Sequence, residues 1–279
     1  MKKTCLITGA TDGIGKQTAL ELAYKNYSLV LVGRKLEKGE SVVSELIRET
    51  GNEFIQFHCA DMSSMKAVKD LAIEIQRSYD TIDILLNNAG AYFSQFKLTH
   101  DGFENTIALN HFAYFYFTEL LLDMVKSDLC GRVINVASMA HRNAKLDFHD
   151  LQMLEDYSGW SSYCRSKLMN IMFTYECHRR YSDSGVTFNS LHPGFVNSNF
   201  GDNNSGFAKK SINVVKALFA INVEKGAKTS VYLASSPELE NVSGKFFNKC
   251  KPVKSSSSSM VKKDQEKLWS ETEAILTTL

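Results

Sequence analysis

The sequence predicts an α/β protein: a doubly wound parallel sheet with helices on both faces. Three observations carry that expectation. Short apolar runs alternate with amphipathic helical stretches along almost the whole chain, the pattern of repeated βα units. A glycine-rich turn, Thr8-Gly9-Ala10-Thr11-Asp12-Gly13-Ile14-Gly15, joins the first apolar run to the first helical one. Polar or small residues stand where strands should end, at Asn87-Asn88-Ala89-Gly90, Ser138 and Pro193-Gly194. Right-handed crossovers place all those strand ends along one edge of the sheet. Ligands bind at that edge, in the crevice where strand order reverses.

The elements follow in order. Residues 5–7 read as a strand and 14–25 as a helix with Ala19, Leu22 and Ala23 on one side. The strand at 28–32 ends in Gly33-Arg34, and the helix at 35–50 carries Val42, Val43, Leu46 and Ile47 at helical spacing. A strand at 54–58 precedes Asp61, and the helix at 65–79 has Val68, Leu71, Ala72 and Ile75 on one face. Residues 82–86 form the next strand. Residues 101–126 read as one long helix, rich in Phe and Leu, with Asn110 buried in its middle. After the strand at 132–137, residues 139–159 show no periodicity; a loop of that length is usually a functional rim. A helix at 161–181, a strand at 186–192, a helix at 224–234 and a short strand at 244–247 follow. The serine run at 255–259 reads as a mobile loop, and 262–276 as a surface helix holding Leu268, Trp269 and Ile275. With no internal repeat and no linker, residues 1–279 read as one domain, with a lid at 195–223 and a C-terminal tail at 251–279.

Composition narrows the function classes. The chain has 279 residues, 44% of them apolar, enough for a sizeable core. A formal charge of +1 argues against a nucleic-acid face, which needs clustered excess Lys and Arg. No aliphatic run approaches the roughly 18–20 residues of a membrane span. The first strand starts by Thr4, which leaves no room for a signal peptide. Six cysteines without Cys-x-x-Cys spacing read as free thiols in a reducing cytoplasm. The seven histidines show no metal-ligand spacing, so no metal site is expected.

The chemistry concentrates in two places. At the glycine turn, free N–H groups and the helix dipole would face a bound anion, and glycines let backbone approach a pyrophosphate closely. Taken alone, such a turn can also be purely structural. Tyr163 and Lys167 are four apart on one helix and share a face. A neighbouring ammonium favours a phenolate, so Tyr163 is expected to have a lowered pKa and to pass a proton to or from a substrate oxygen. On its own Tyr-x-x-x-Lys is commonly a solvated face; Ser138 at a strand end changes that weighing. Ser138 would hydrogen-bond and polarise a carbonyl. Asn110, in an apolar helix interior, needs partners, and a satisfied core asparagine is the plain alternative. His111, His141 and His192 read as rim or packing residues, and Cys164 as packing.

With these residues placed, the chain resembles the short-chain dehydrogenase/reductase family. The matches are Thr8-Gly9-x-x-x-Gly13-Ile14-Gly15, Asn87-Asn88-Ala89-Gly90, Ser138, Tyr163-Cys164-Arg165-Ser166-Lys167 and Pro193-Gly194, in the family's order over about the whole chain. Within the family it looks closest to the retinol-dehydrogenase-like group. That rests on Gly33-Arg34 with Lys38-Gly39-Glu40, Ser138-Met139-Ala140-His141-Arg142, Leu191-His192-Pro193-Gly194, Tyr232-Leu233-Ala234-Ser235-Ser236-Pro237-Glu238 and Leu268-Trp269. It departs in lacking the membrane-anchoring N-terminal segment of several relatives, and in Asn197-Ser198 where many have Thr. The resemblance implies a Rossmann-type fold with Asn110, Ser138, Tyr163 and Lys167 as catalytic residues. It implies a cofactor on Gly9, Thr11, Asp12, Gly13, Ile14, Gly15, Asp61, Met62, Asn88, Ala89, Gly90, Tyr163, Lys167, Pro193, Gly194 and Val196. Asp61 would meet the adenine, and Lys167 the nicotinamide ribose. The two long helices would form the family's usual homodimer face.

A preference for NAD usually comes with an acidic residue at the end of the second strand. Here Arg34 and Lys38 stand near that place, so NADP(H) is expected, with NAD(H) as the lesser alternative. In 205–223, Phe207, Ile212, Val215, Leu218, Phe219 and Val223 recur at helical spacing between Lys209, Lys210 and Lys216. The reading is an amphipathic lid over an apolar pocket, hence a lipophilic carbonyl or alcohol such as retinal or an alkanal. An ordinary core helix and a weak contact with a membrane surface are the competing readings. A non-catalytic NADP(H)-sensing or scaffold protein is the alternative of a different class.

Overall fold

The computed structural model describes residues 2–125, 131–194 and 222–277. The strands are β1 (Thr4–Thr8), β2 (Ser28–Gly33), β3 (Ile55–Cys59), β4 (Ile84–Asn87), β5 (Arg132–Val136), β6 (Thr187–His192), β7 (Lys245–Asn248) and β8 (Lys251–Val253). They form one sheet in the order β3-β2-β1-β4-β5-β6-β7-β8. The first seven are parallel and β8 is antiparallel to β7. Order reverses between β1 and β4, which opens the crevice there. β8 was not foreseen. It is three exposed residues, Lys251-Pro252-Val253, reached through Lys249 and Cys250, both at positive φ. Lysine and proline suit an edge strand and carry no strand signal in a sequence.

The helices are α1 (Gly13–Tyr24), α2 (Leu36–Thr50), α3 (Met65–Ser78), α4 (Asn105–Ile107), α5 (Ala113–Val125), α6 (Gly159–Arg180), α7 (Val223–Ser235) and α8 (Lys262–Leu276). Alternation along β1 sorts the two cores: Cys5 and Ile7 pack with residues of α1, α2 and α7, and Leu6 packs with α3, α5 and α6. Side-chain caps begin several helices. Asp12 accepts from Gly13 N on α1, and Ser64 accepts from Ala67 N on α3.

Two expectations are corrected here. The helix placed at 101–126 starts at Asn105, because the Glu104 carboxylate accepts from Thr106 N and Ile107 N, at 2.8 and 2.9 Å, and caps it there. It is also broken by a π-turn, Ala108–Phe112, between α4 and α5. The serine run is not a loose loop. Ser255 and Ser259 are buried, Ser255 Oγ lies 2.7 Å from the Tyr175 hydroxyl, and Ser259 Oγ donates to Ser255 Oγ at 2.7 Å. A hydrogen-bond partner on α6, Tyr175, orders a segment whose composition reads as low complexity. α8 follows and sets Trp269 against Phe115 and Phe173, at ring separations of 4.8 and 5.7 Å, under the Arg180 guanidinium. This part of the α5 and α6 surface, which the resemblance assigns to a dimer face, is occupied by the chain's own C-terminal helix. Among the described residues no helix is long and apolar enough to cross a membrane, and no group of His, Cys, Asp or Glu could hold a metal ion.

Candidate active site

The glycine turn is built tightly. Gly9 has φ +65, and a Cβ there would stand 2.8 Å from Ala89 Cα. A Cβ on Gly15 would stand 2.3 Å from Gly9 O and 2.5 Å from Asn88 Nδ2. Both positions therefore require glycine. Asn88 acts as a staple across the crevice: its Nδ2 donates to Thr8 O and Gly9 O at 2.8 and 3.2 Å. Thr8 Oγ1 in turn accepts from Asn88 N and Ala89 N, at 2.9 and 3.0 Å. The motif marks Thr8 only as part of the turn; its hydroxyl locks β1 to β4.

A cleft of about 1120 Å³ runs from this turn along the strand ends. Gly9, Thr11, Asp12, Gly13, Ile14 and Gly15 line it, as do Arg34, Lys38, Asp61, Met62, Asn88, Ala89, Gly90, Tyr163, Lys167 and Pro193. Gly194 is described but does not line it, and Val196 lies outside the described residues, as does the proposed lid except Asn222, which caps α7, and Val223, which begins it. Lys38 does not stand alone as a point charge. Its Nζ is 2.6 Å from Asp12 Oδ2, so the capping carboxylate of α1 already offsets it.

At the other end of the cleft α6 presents Tyr163 and Lys167 one turn apart, both buried. Lys167 Nζ donates to Val136 O at 3.0 Å. Tyr163 is hydrogen bonded to the Ser138 side chain. Asn110 sits in the π-turn, the sort of distortion that collects at functional sites. Its Nδ2 donates to Ala91 O and Ser166 Oγ at 3.0 Å each, and its Oδ1 accepts from Ala91 N at 2.9 Å. The loop after β4 is thereby tied to α6 beside Lys167. A Cβ on Gly90 would lie 3.1 Å from Asn110 Oδ1 and 3.3 Å from Lys167 Nζ, so these groups meet at one point.

The protonation states differ from the simple reading. Burial pushes the Tyr163 phenol up to about 12, against the lowering effect of its bond to Ser138. Burial also brings Lys167 down to about 7. The lowered tyrosine pKa expected from a nearby ammonium is not found: desolvation of the phenolate dominates, and what opposes it is Ser138 rather than Lys167. Cys164 is raised to about 11 by burial and is an inert packing thiol. His111 and His192 are each held near 4 by burial. Two aromatic residues join the site beyond those its motifs mark. Tyr92 meets the Tyr163 ring edge-on at 6.3 Å, and Trp160, half exposed, lies tilted over it at 5.8 Å. Trp160 precedes Tyr163 by three on a helix, a spacing that marks it in retrospect.

Fold and cleft together define a dinucleotide-binding α/β protein of the Rossmann type. Comparison with known proteins narrows this. The family model for short chain dehydrogenases matches residues 3–208. Human retinol dehydrogenase 13 is 37% identical over 274 residues, which cover 96% of this chain and 83% of that protein. Human retinol dehydrogenase 12 is 37% identical over 270 residues, covering 96% and 84%. A crystal structure of an uncharacterised protein from Mycobacterium paratuberculosis superposes with a TM-score of 0.78 at 28% identity, covering 99% of this chain and 93% of that one. A short-chain dehydrogenase from Sphingobium yanoikuyae in complex with NADPH shares the fold, with a TM-score of 0.67 at 22% identity and 82% of each chain covered. The chain belongs to the short chain dehydrogenase family, and it is an oxidoreductase acting on CH–OH groups with NAD(P) as acceptor.

Proposed function

We propose that this oxidoreductase interconverts a lipophilic aldehyde or ketone and its alcohol, with NADP(H) as the preferred cofactor. The observation that carries the reading is the buried Tyr163, hydrogen bonded to Ser138 and one turn from Lys167 on the wall of the cleft. The residues present fit a dinucleotide. Glycine backbone and the N-terminus of α1 suit a pyrophosphate, Asp61 and Met62 flank an adenine position, and Asn88 to Gly90 suit a ribose. Arg34, with Lys38 behind it, suits a 2′-phosphate. Pro193, Gly194 and Val196 are assigned to the cofactor by the resemblance. The cofactor, when bound, supplies or accepts the hydride.

The chain's own residues do the rest. Ser138 Oγ–H donates to the carbonyl oxygen and fixes its direction. Tyr163, still protonated at neutral pH, gives its proton to that oxygen as negative charge develops. Asn110 holds Ala91 and Ser166, and so keeps Gly90 and Lys167 in register. Lys167 takes the nicotinamide-ribose position, and its lowered pKa suits it to move a proton back to Tyr163. A protonated Tyr163 favours reduction; oxidation of an alcohol needs the phenolate.

Substrate class is supported by the aromatic surface that Tyr92 and Trp160 place over Tyr163, and by the retinol in the relatives' names. We propose residues 1–279 as one catalytic unit, with 195–223 as its lid. The test is NADPH consumption with alkanals of rising chain length. Each buried methylene is worth about 0.8 kcal/mol, so kcat/KM should rise several-fold per carbon until the pocket is full. A flat series, repeated with Phe207→Ala and Leu218→Ala, would remove the apolar pocket. Cofactor binding with no turnover of any carbonyl would favour the sensing protein instead.

A further inference from the structure

We infer that the C-terminal segment is part of the catalytic architecture, and that His141 is the positioning residue through which it holds Ser138. The inference rests on Ser138 acting on the substrate oxygen as proposed above. The Ser138 carbonyl oxygen receives two bonds from His141, from its backbone N at 3.2 Å and from its Nδ1 at 2.6 Å. A carbonyl only accepts, so Nδ1 carries the proton. Nε2 of the same ring lies 3.0 Å from the backbone N of Ser256, an N–H that only donates. The two partners therefore fix a single neutral tautomer. Burial, with Arg142 nearby, lowers the ring's pKa and keeps it in that form.

The far end of this link is anchored. Tyr175 and Ser259 hold Ser255, Gln265 Nε2 donates to Ser259 O at 2.5 Å, and Arg142 Nη2 donates to Lys254 O at 2.6 Å. The ring itself packs edge-on against Phe246 of β7 at 5.0 Å. A second buried histidine repeats the arrangement beside the other polar group of the site. His111 follows Asn110 in the π-turn and lies 3.3 Å from Asn170 on α6 and 3.3 Å from Thr272 on α8. Hydrophobic packing alone would be served by an apolar side chain, with no demand for partners. Here each ring spends both nitrogens on joining the catalytic layer to the segment behind it.

The test uses the full chain with NADPH and a medium-chain alkanal. Ser256 has φ −67, proline's own value, so Ser256→Pro keeps that angle while a ring carbon replaces the N–H and pushes against Nε2, which breaks the link. Ser256→Pro and His141→Phe should each lower kcat by about ten- to a hundredfold, the scale of a small misplacement of a reacting group. KM for NADPH should stay within about twofold, since neither residue lines the cleft. His141→Gln keeps one donor and one acceptor and should recover most of the loss. In a Ser138→Ala background, His141→Phe should add nothing, because both changes remove one function. If His141→Phe does not fold, Ser256→Pro carries the test. Normal kcat in the variant tested, or independent losses in the double variant, would overturn the inference while leaving the mechanism standing. Normal turnover in Ser138→Ala would overturn the mechanism, and the inference with it.

Discussion

Lys167→Met tests the balance between stability and function at this site. The ammonium is buried, with its pKa brought from 10.5 to about 7. A lysine so held binds fewer protons folded than unfolded between those two values. Wild-type stability should therefore rise with pH across that window and carry its full penalty below about pH 7. Moving the pKa that far costs the folded state at most about 5 kcal/mol in acid, about 4 at pH 7 and about 2 at pH 9. Methionine keeps the apolar stem but loses the bond from Nζ to Val136 O, worth about 1 kcal/mol. The ligand-free variant should thus be more stable than wild type by about 2–3 kcal/mol at pH 7. The gain should be larger at pH 6 and fall to about 1 kcal/mol at pH 9, while carbonyl turnover is largely lost. Urea denaturation of both proteins at the three pH values measures this. A variant less stable than wild type at pH 6, or a difference independent of pH, would refute the account of Lys167 as a desolvated cation.

Other expectations concern the same cleft. Tyr163→Phe should lower kcat by at least about a hundredfold with little change in NADPH affinity, as steady-state kinetics and a binding titration would show. With the phenol pushed up to about 12, wild-type alcohol oxidation should climb with pH through the alkaline range, while Tyr163 stays protonated for reduction at neutral pH. Arg34→Ala should weaken NADPH about tenfold and leave NADH nearly unchanged. Lys38→Ala should do less, because Asp12 already offsets that charge; equal wild-type efficiency with both cofactors would count against the assignment. Gly15→Ala drives a methyl into Gly9 O and Asn88 Nδ2 and should cost about 1–3 kcal/mol or more in urea unfolding, along with cofactor binding.

The order of elements was legible in the chain because each βα unit writes its own local pattern. Apolar runs such as 28–32, helical spacing such as Val68, Leu71, Ala72 and Ile75, and the glycines after β1 all follow from neighbours a few residues apart. Tyr163, Lys167, Ser138 and the glycine turn were picked out for the same reason, by spacing and by position at strand ends. Contacts between distant parts of the chain wrote no such pattern. The π-turn at Asn110, the Lys38–Asp12 pair and the placing of Ser255 depend on partners from 19 to 80 residues away. So do the links from His141 to Ser256 and from His111 to Thr272, 115 and 161 residues apart in sequence. Ionisation is decided at the same level. A sequence shows that an amine and a phenol share a helix face; how much water each has lost is set by everything packed around it, and desolvation reverses the direction in which Tyr163 shifts.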